Sequence, residues 1–173
     1  MMEELEKTDI SFSLFSSSFN FVQKIGILIS TFFMVGLMPI APGTWGSLGG
    51  LGVYILISEF VWQQQLQIII AIMLLGVGGI ALVQKRTGPK DDGRFVIDEV
   101  VGMLITVATF PMHWFWLTLG FFLFRLLDIW KPFPARYIDR HMHGAWGVML
   151  DDVICGIYAL SILKVLEALR IFL

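Results

Sequence analysis

Residues 125–152, RLLDIWKPFPARYIDRHMHGAWGVMLDD, hold four aspartates, Asp128, Asp139, Asp151 and Asp152, with Lys131, Arg136, Arg140, His141 and His143 among them. A second acidic pair, Asp98-Glu99, opens an apolar run upstream. Carboxylates in this number are hard oxygen donors of the kind that hold Mg²⁺, an ion that keeps several waters and often shares its sites with phosphate. The lysine and arginines between them carry the complementary charge for a phosphate group. These residue types suggest metal-assisted chemistry on a phosphoryl group, provided the surrounding elements carry them to one place.

Those elements are unusually apolar. Only 15% of the 173 residues are charged, against about a quarter in soluble domains, and the mean hydropathy is +0.79. Fifteen Phe and six Trp suit a bilayer and its interfaces. The composition predicts an all-α, polytopic helical membrane protein of about five to six short helices. A net charge of −2 offers no basic face for nucleic acid. The single cysteine, Cys155, excludes a disulfide framework and a cysteine-rich metal site within the chain. Glu3, Glu4 and Glu6 against Lys7 reverse the charge of a secretory n-region, so residues 1–23 read as a disordered or interfacial lead-in to a single domain over 24–173.

The first apolar stretch is cut at Pro39-Ile-Ala-Pro42-Gly43-Thr44-Trp-Gly46-Ser47, which predicts a break between helices at about 24–38 and 47–62. Both are shorter than the ~20 residues that span a bilayer comfortably, and read as short crossings, a re-entrant hairpin or helices shielded by protein. Residues 66–84 are long enough to span. Further apolar runs follow at 100–110, 114–130 and 153–163, the last continuing as a helix to the chain end. Counting crossings, Asp98-Glu99, Asp128 and Asp151-Asp152 all fall on one face. So do Lys85, Arg86, Lys90, Arg94, Lys131, Arg136 and Arg140, seven of the twelve basic residues. The positive-inside rule makes that face cytoplasmic.

Asp128 is the sharpest signal, because a carboxylate near a helix C-terminus opposes the helix dipole. A cation must compensate: a local ion cluster with Arg125 or Lys131, or a metal. Charges at membrane helices are functional by default, which favours a site. Asp98-Glu99 and Asp151-Asp152 stand at helix starts, where carboxylates also serve as caps, and both readings stay open. The 42–47 loop either presents Gly43 N–H, Thr44 and Ser47 to a phosphate or is a plain turn with Ser47 as N-cap. His141 and His143 are interfacial polar residues or metal ligands. Asp139 reads as an ion partner of its basic neighbours, and Asp91 and Asp92 as solvated. Lys131, Arg136 and Arg140 either hold lipid phosphate or fix topology.

Four blocks, MPIAPGTWGSL (38–48), VIDEVVGM (96–103), FRLLDIWKPFPARYIDR (124–140) and HGAWGVMLDD (143–152), resemble the signature blocks of bacterial phosphatidylglycerophosphatase A. They occur in order and cover most of residues 36–156. The resemblance implies a Mg²⁺-dependent phosphatase of the bacterial inner membrane that converts phosphatidylglycerophosphate to phosphatidylglycerol and phosphate. It makes Asp98, Glu99, Asp128, Asp151 and Asp152 the expected metal ligands, and Asp128, Lys131 and Asp98 the expected catalytic groups. Gly43, Thr44, Ser47, Lys131, Arg136 and Arg140 become the expected phosphate holders. Either water or a carboxylate, with Asp128 the candidate, attacks phosphorus. Some relatives of this family are soluble helical proteins, so the first two helices need not span. The rival is a cation transporter or channel lined by the same acids; their place at helix ends rather than at mid-helix weighs against it.

Overall fold

Apolar runs separated by Pro-Gly punctuation fold as seven α-helices in the computed structural model, which describes residues 19–171. They are α1 Phe21–Ser30, α2 Pro42–Ile57, α3 Trp62–Thr87, α4 Ile97–Val107, α5 Trp114–Trp130, α6 Ala135–His141 and α7 Ala145–Ile171. A 3-10 turn at Val35–Leu37 lies between α1 and α2. No strand occurs among the described residues. The all-α expectation is borne out, with one helix, α6, hidden inside the polar stretch.

Most of the expected lead-in, residues 1–18, lies outside the described residues, but its end is structured. The Asn20 side chain accepts from the Gln23 N–H at 2.8 Å and the Gln23 side chain accepts from the Asn20 N–H at 3.1 Å. This capping box starts α1 ahead of the expected Lys24. The helix stops at Ser30, short of the expected Met38, because Phe32, Phe33 and Met34 take left-handed backbone with φ of 44, 53 and 73°. That conformation is costly for residues with a Cβ and cannot continue a right-handed helix. The start of α2 also differs from expectation. Ala41, left-handed at φ 50°, leads directly into Pro42 at the first helical position, where the missing N–H costs nothing. Gly43, Thr44 and Ser47 therefore lie in the helix rather than in a loop, and Ser47 Oγ donates to Gly43 O at 2.9 Å instead of capping.

At the centre is α4, apolar beyond its first turn and buried along nearly its whole length, as expected of a helix apolar on all sides. It packs on α2, α3, α5 and α7. Small residues bring the backbones close. Any Cβ on Gly50 would lie 2.8 Å from Val100 O, and one on Gly102 would lie 2.8 Å from Asp152 O. Glycines at such contacts let helices approach without side chains between them.

The contacts fix the directions. Gly46 lies against Val96 and Gly50 against Val100 and Met103, so α2 and α4 run parallel. Phe19 sits under Arg86, with the guanidinium 5.1 Å from the ring centroid, while Gly26 and Ile29 meet Gly79, so α1 runs antiparallel to the end of α3. The Ser30 carbonyl accepts from the Val96 N–H at 2.9 Å, which brings the end of α1 level with the start of α4. Thus α1 and α2 descend in the same direction on either side of the 31–41 break. They contain 10 and 16 residues, in sum the 26 of α3, on which α1 packs. At the opposite end, Tyr54 OH donates to Phe110 O, and Lys164 Nζ stands 4.2 Å over the Phe110 ring.

Candidate active site

Two helices carry the same local pattern, Asp98-x-x-x-Gly102 on α4 and Asp152-x-x-x-Gly156 on α7. The helices cross at those glycines: a Cβ on Gly156 would lie 2.5 Å from Gly102 O. Thr106 Oγ1 ties the crossing together, donating to Gly102 O at 2.9 Å and reaching Gly156 O at 3.5 Å. One turn from the contact on each helix stands an aspartate on the same side, so the close crossing itself delivers Asp98 and Asp152 to one point. Glu99 is brought to the same place. Its oxygen, the oxygens of Asp98 and the oxygens of Asp152 include one atom each that all lie within 4.8 Å of one another.

Asp98 and Asp152 are buried, as is Asp128, whose carboxyl contacts that of Asp152. Arg125 reaches across this group. Its Nη1 donates to Asp128 Oδ2 at 2.5 Å and lies 3.9 Å from Glu99 Oε1 and 3.5 Å from Ser47 Oγ. The start of α2 closes the third side: a Cβ on Gly43 would collide with Glu99 Oε1 and lie 3.0 Å from Arg125 Nη1. Four carboxylates, Asp98, Glu99, Asp128 and Asp152, thus gather together, and the Arg125 guanidinium faces two of them, Asp128 and Glu99. Oδ1 of Asp98 and Oε2 of Glu99 are buried with no hydrogen-bond partner. Buried carboxylates with unanswered charge are strongly destabilising unless they take up protons or a cation. An all-oxygen donor set with orphaned lone pairs fits a hard divalent ion.

A second group lies alongside. Lys131 caps α5 in left-handed backbone at φ 48°, and its Nζ donates to Asp151 Oδ2 at 2.5 Å and Asp139 Oδ1 at 2.7 Å. Burial works against its charge, but the bonds to Asp139 and Asp151 outweigh that and raise its pKa, so it stays protonated. Asp151 is the inner partner, its side chain 6% exposed, while that of Asp139 is 37% exposed.

Of the five carboxylates expected to bind metal, Asp98, Glu99 and Asp152 converge, Asp128 adjoins them in the grip of Arg125, and Asp151 turns to Lys131 instead. Asp139 is the ion partner it was read to be. Arg136 donates to Trp130 O at 2.6 Å, and Arg140 is exposed on α6. His141 stacks on Tyr137 with centroids 4.2 Å apart, away from the carboxylates. Asp92 pairs with Arg94 at 2.8 Å. Asp91, read as solvated, instead feels Lys131 and Asp139, and the loss of surrounding water raises its pKa.

Residues 28–167 match the family described as Phosphatidylglycerophosphatase A. The chain is 39% identical over 137 residues to the protein of that name from Escherichia coli (strain K12), covering 79% of this chain and 80% of the relative. It is 38% identical over 144 residues to the Phosphatidylglycerophosphatase A of Haemophilus influenzae (strain ATCC 51907 / DSM 11121 / KW20 / Rd), covering 81% of this chain and 87% of the relative. The chain belongs to the phosphatidylglycerophosphatase A family. No solved structure matches it.

All four phosphatidylglycerophosphatase A blocks read from the sequence fall inside the matched span, and each contributes to the site. The protein is an enzyme of a phosphatase family, and the transporter reading is not favoured. Two features of the phosphatidylglycerophosphatase A site were not anticipated. Arg125 was read only as a counter-charge for Asp128, yet it links α2, α4 and α5. The repeated Asp-x-x-x-Gly pattern, which pairs Asp98 with Asp152 and leaves Asp151 out, was present in the sequence and would have singled out those two acids.

Proposed function

We propose that the protein hydrolyses the terminal phosphomonoester of phosphatidylglycerophosphate, giving phosphatidylglycerol and inorganic phosphate, with Mg²⁺ as cofactor. The observation that carries this reading is the convergence of Asp98, Glu99 and Asp152 beside the protonated Lys131, in a chain whose relatives are named for that activity. Asp98, Glu99 and Asp152 would hold Mg²⁺, which when bound supplies charge neutralisation for the phosphate and acidifies a water. Lys131 donates to the phosphate oxygens, and Asp139, its more exposed partner, is the one that yields. Arg125 holds Asp128 in place, and Asp128 accepts a hydrogen bond from the attacking water. Gly43 lets the start of α2 sit against Glu99 with no side chain between, so its N–H and the Thr44 hydroxyl can face the incoming phosphate. Ser47 supports Arg125. The water oxygen bonds to phosphorus as its proton passes to Asp128, the phosphorus–oxygen bond to glycerol breaks, and the departing glycerol oxygen takes up a proton from solvent, to which Asp128 later returns its own.

Purified protein stripped of metal should release no phosphate from phosphatidylglycerophosphate, and Mg²⁺ should restore release. Full activity after verified metal removal would refute the metal reading.

In the same reading residues 24–173 form one phosphatase domain of the bacterial inner membrane, crossing it several times with the site facing the cytoplasm. Among the described residues one helix, α3, is long and apolar enough to cross a bilayer. Exposed tryptophans, Trp114 and Trp130, bracket α5, which at 1.5 Å per residue is about 26 Å long, a little short of the ~30 Å hydrocarbon core between two interfacial aromatic belts. The shared direction of α1 and α2 supports reading them as one interrupted crossing, with Asn20 on the site's side. Cysteines placed at Lys90, Arg136 and Asn20 in a Cys155→Ala background should all label from the cytoplasm. Labelling of Asn20→Cys from the opposite side would refute the interrupted crossing.

A further inference from the structure

Beyond the carboxylates, a groove of about 450 Å³ opens between the end of α5 and α6, lined by Trp130, Lys131, Phe133, Arg136, Tyr137 and Arg140 among others. Lys131 lines the groove and its Nζ bonds Asp151, the neighbour in sequence of Asp152, which links the groove to the start of the helix that carries Asp152. Arg136 and Arg140 stand one turn apart on α6 and share a face. Arg136 spends one N–H on Trp130 O, and a guanidinium has five to offer. Arg140 is exposed. The rim is apolar: Phe133 is 78% exposed and Trp130 62%. Guanidinium groups next to large exposed aromatic side chains suit a ligand that is anionic at one point and greasy just beyond it.

We infer that this groove binds the phosphodiester of the lipid substrate, while the terminal phosphomonoester reaches past Lys131 to Asp98, Glu99 and Asp152. The inference rests on the phosphatase reading above and adds a specificity determinant: Arg140, with Arg136, selects substrates that carry a second phosphate on the far side of the glycerol. Lys131 sits at the junction of the two subsites, and its contact with Asp151 fixes their relation. The same phosphodiester chemistry is also offered by neighbouring anionic lipids of the bilayer, so the test must separate the substrate's own phosphodiester from that of a bystander.

Full-length enzyme in uncharged detergent with Mg²⁺ should be given two water-soluble substrates. One is glycerol phosphate, which has the phosphomonoester alone; the other is deacylated phosphatidylglycerophosphate, which keeps both phosphates and no acyl chain. The wild type should show a KM at least about tenfold lower for the second, the size of effect expected from charge-assisted bonds to phosphate. Arg140→Gln should erase that preference by raising the KM for the two-phosphate substrate at least about tenfold more than the KM for glycerol phosphate. Arg140→Lys should restore part of it. Equal KM values for both substrates in the wild type, or an Arg140→Gln effect equal on both, would overturn the inference. It would be overturned too if Arg140→Gln acted only in vesicles containing anionic lipid, since the groove would then hold a bystander lipid. Absence of phosphate release from the lipid substrate itself by the wild type would refute the phosphatase reading and remove the basis for this one.

Discussion

Asp152→Asn is expected to lower turnover by at least about a thousandfold, equivalent to ~4 kcal/mol of transition-state stabilisation, while the protein folds normally. Asp152 is 3% exposed and shares one point with Asp98 and Glu99, and it touches Asp128 as well. Asparagine keeps the shape and one oxygen but removes the charge that a cation needs. Within the group only Arg125 answers four carboxylates, so removing one negative charge relieves repulsion. Thermal stability without metal should therefore hold or rise. Asp98→Asn should behave alike, because the glycine crossing makes the two aspartates equivalent in position. Glu167→Gln is the control: Glu167 pairs with Lys164 at 2.8 Å at the other end of the bundle, and its loss should leave turnover unchanged. Near-normal turnover by folded Asp152→Asn would show that the acids are structural.

Lys131→Gln is expected to reduce kcat/KM by about a hundredfold, or ~3 kcal/mol. Lys131 is held by the buried Asp151 and by the more exposed Asp139, which it can exchange for a phosphate, whereas Arg125 is tied to Asp128. The substitution also strips the charge partner from Asp151, whose Oδ1 already lacks a hydrogen bond, so some stability will be lost with activity. Asp139→Asn separates the two effects. It removes the outer partner, leaves the bond to Asp151, and should change stability little. If Asp139 yields to the phosphate during binding, Asp139→Asn should leave turnover within about threefold of the wild type. A loss as deep as that of Lys131→Gln would mean that Asp139 itself takes part in the chemistry.

Much of this site is legible in the sequence, for identifiable reasons. Long apolar runs bounded by tryptophan and charge are strong signals, and α5 begins and ends at the residues expected, Trp114 and Trp130. Charged residues are rare in this chain, so the cluster of them in the two polar stretches stands out, and Asp98, Glu99 and Asp152 do meet there. What was not legible depended on local backbone and on partners distant in sequence. Pro42 was read as a breaker, but at a first helical position it is tolerated. The glycine-rich start of α2 is helical because Val96 and Val100 of α4 pack into Gly46 and Gly50. α6 is short and polar, with no apolar period to announce it. The choice of Asp152 over Asp151 turns on about 100° of helix rotation, which the Gly102–Gly156 contact sets and an apolar count cannot. The place of Asp91 within reach of the Lys131 charge follows from a loop pinned by Gln84, whose side chain donates to Lys90 O at 3.0 Å.

The central claim, that Asp98, Glu99 and Asp152 hold a divalent cation, can be tested without any substrate. Mn²⁺ accepts the same oxygen donors as Mg²⁺ and can be titrated into metal-stripped protein while its free-ion resonance is followed. The account predicts a saturable site in the wild type and in Glu167→Gln, displaced by excess Mg²⁺ and lost in Asp98→Asn and Asp152→Asn. A wild type that binds no Mn²⁺, or binding that survives both aspartate substitutions unchanged, would contradict it.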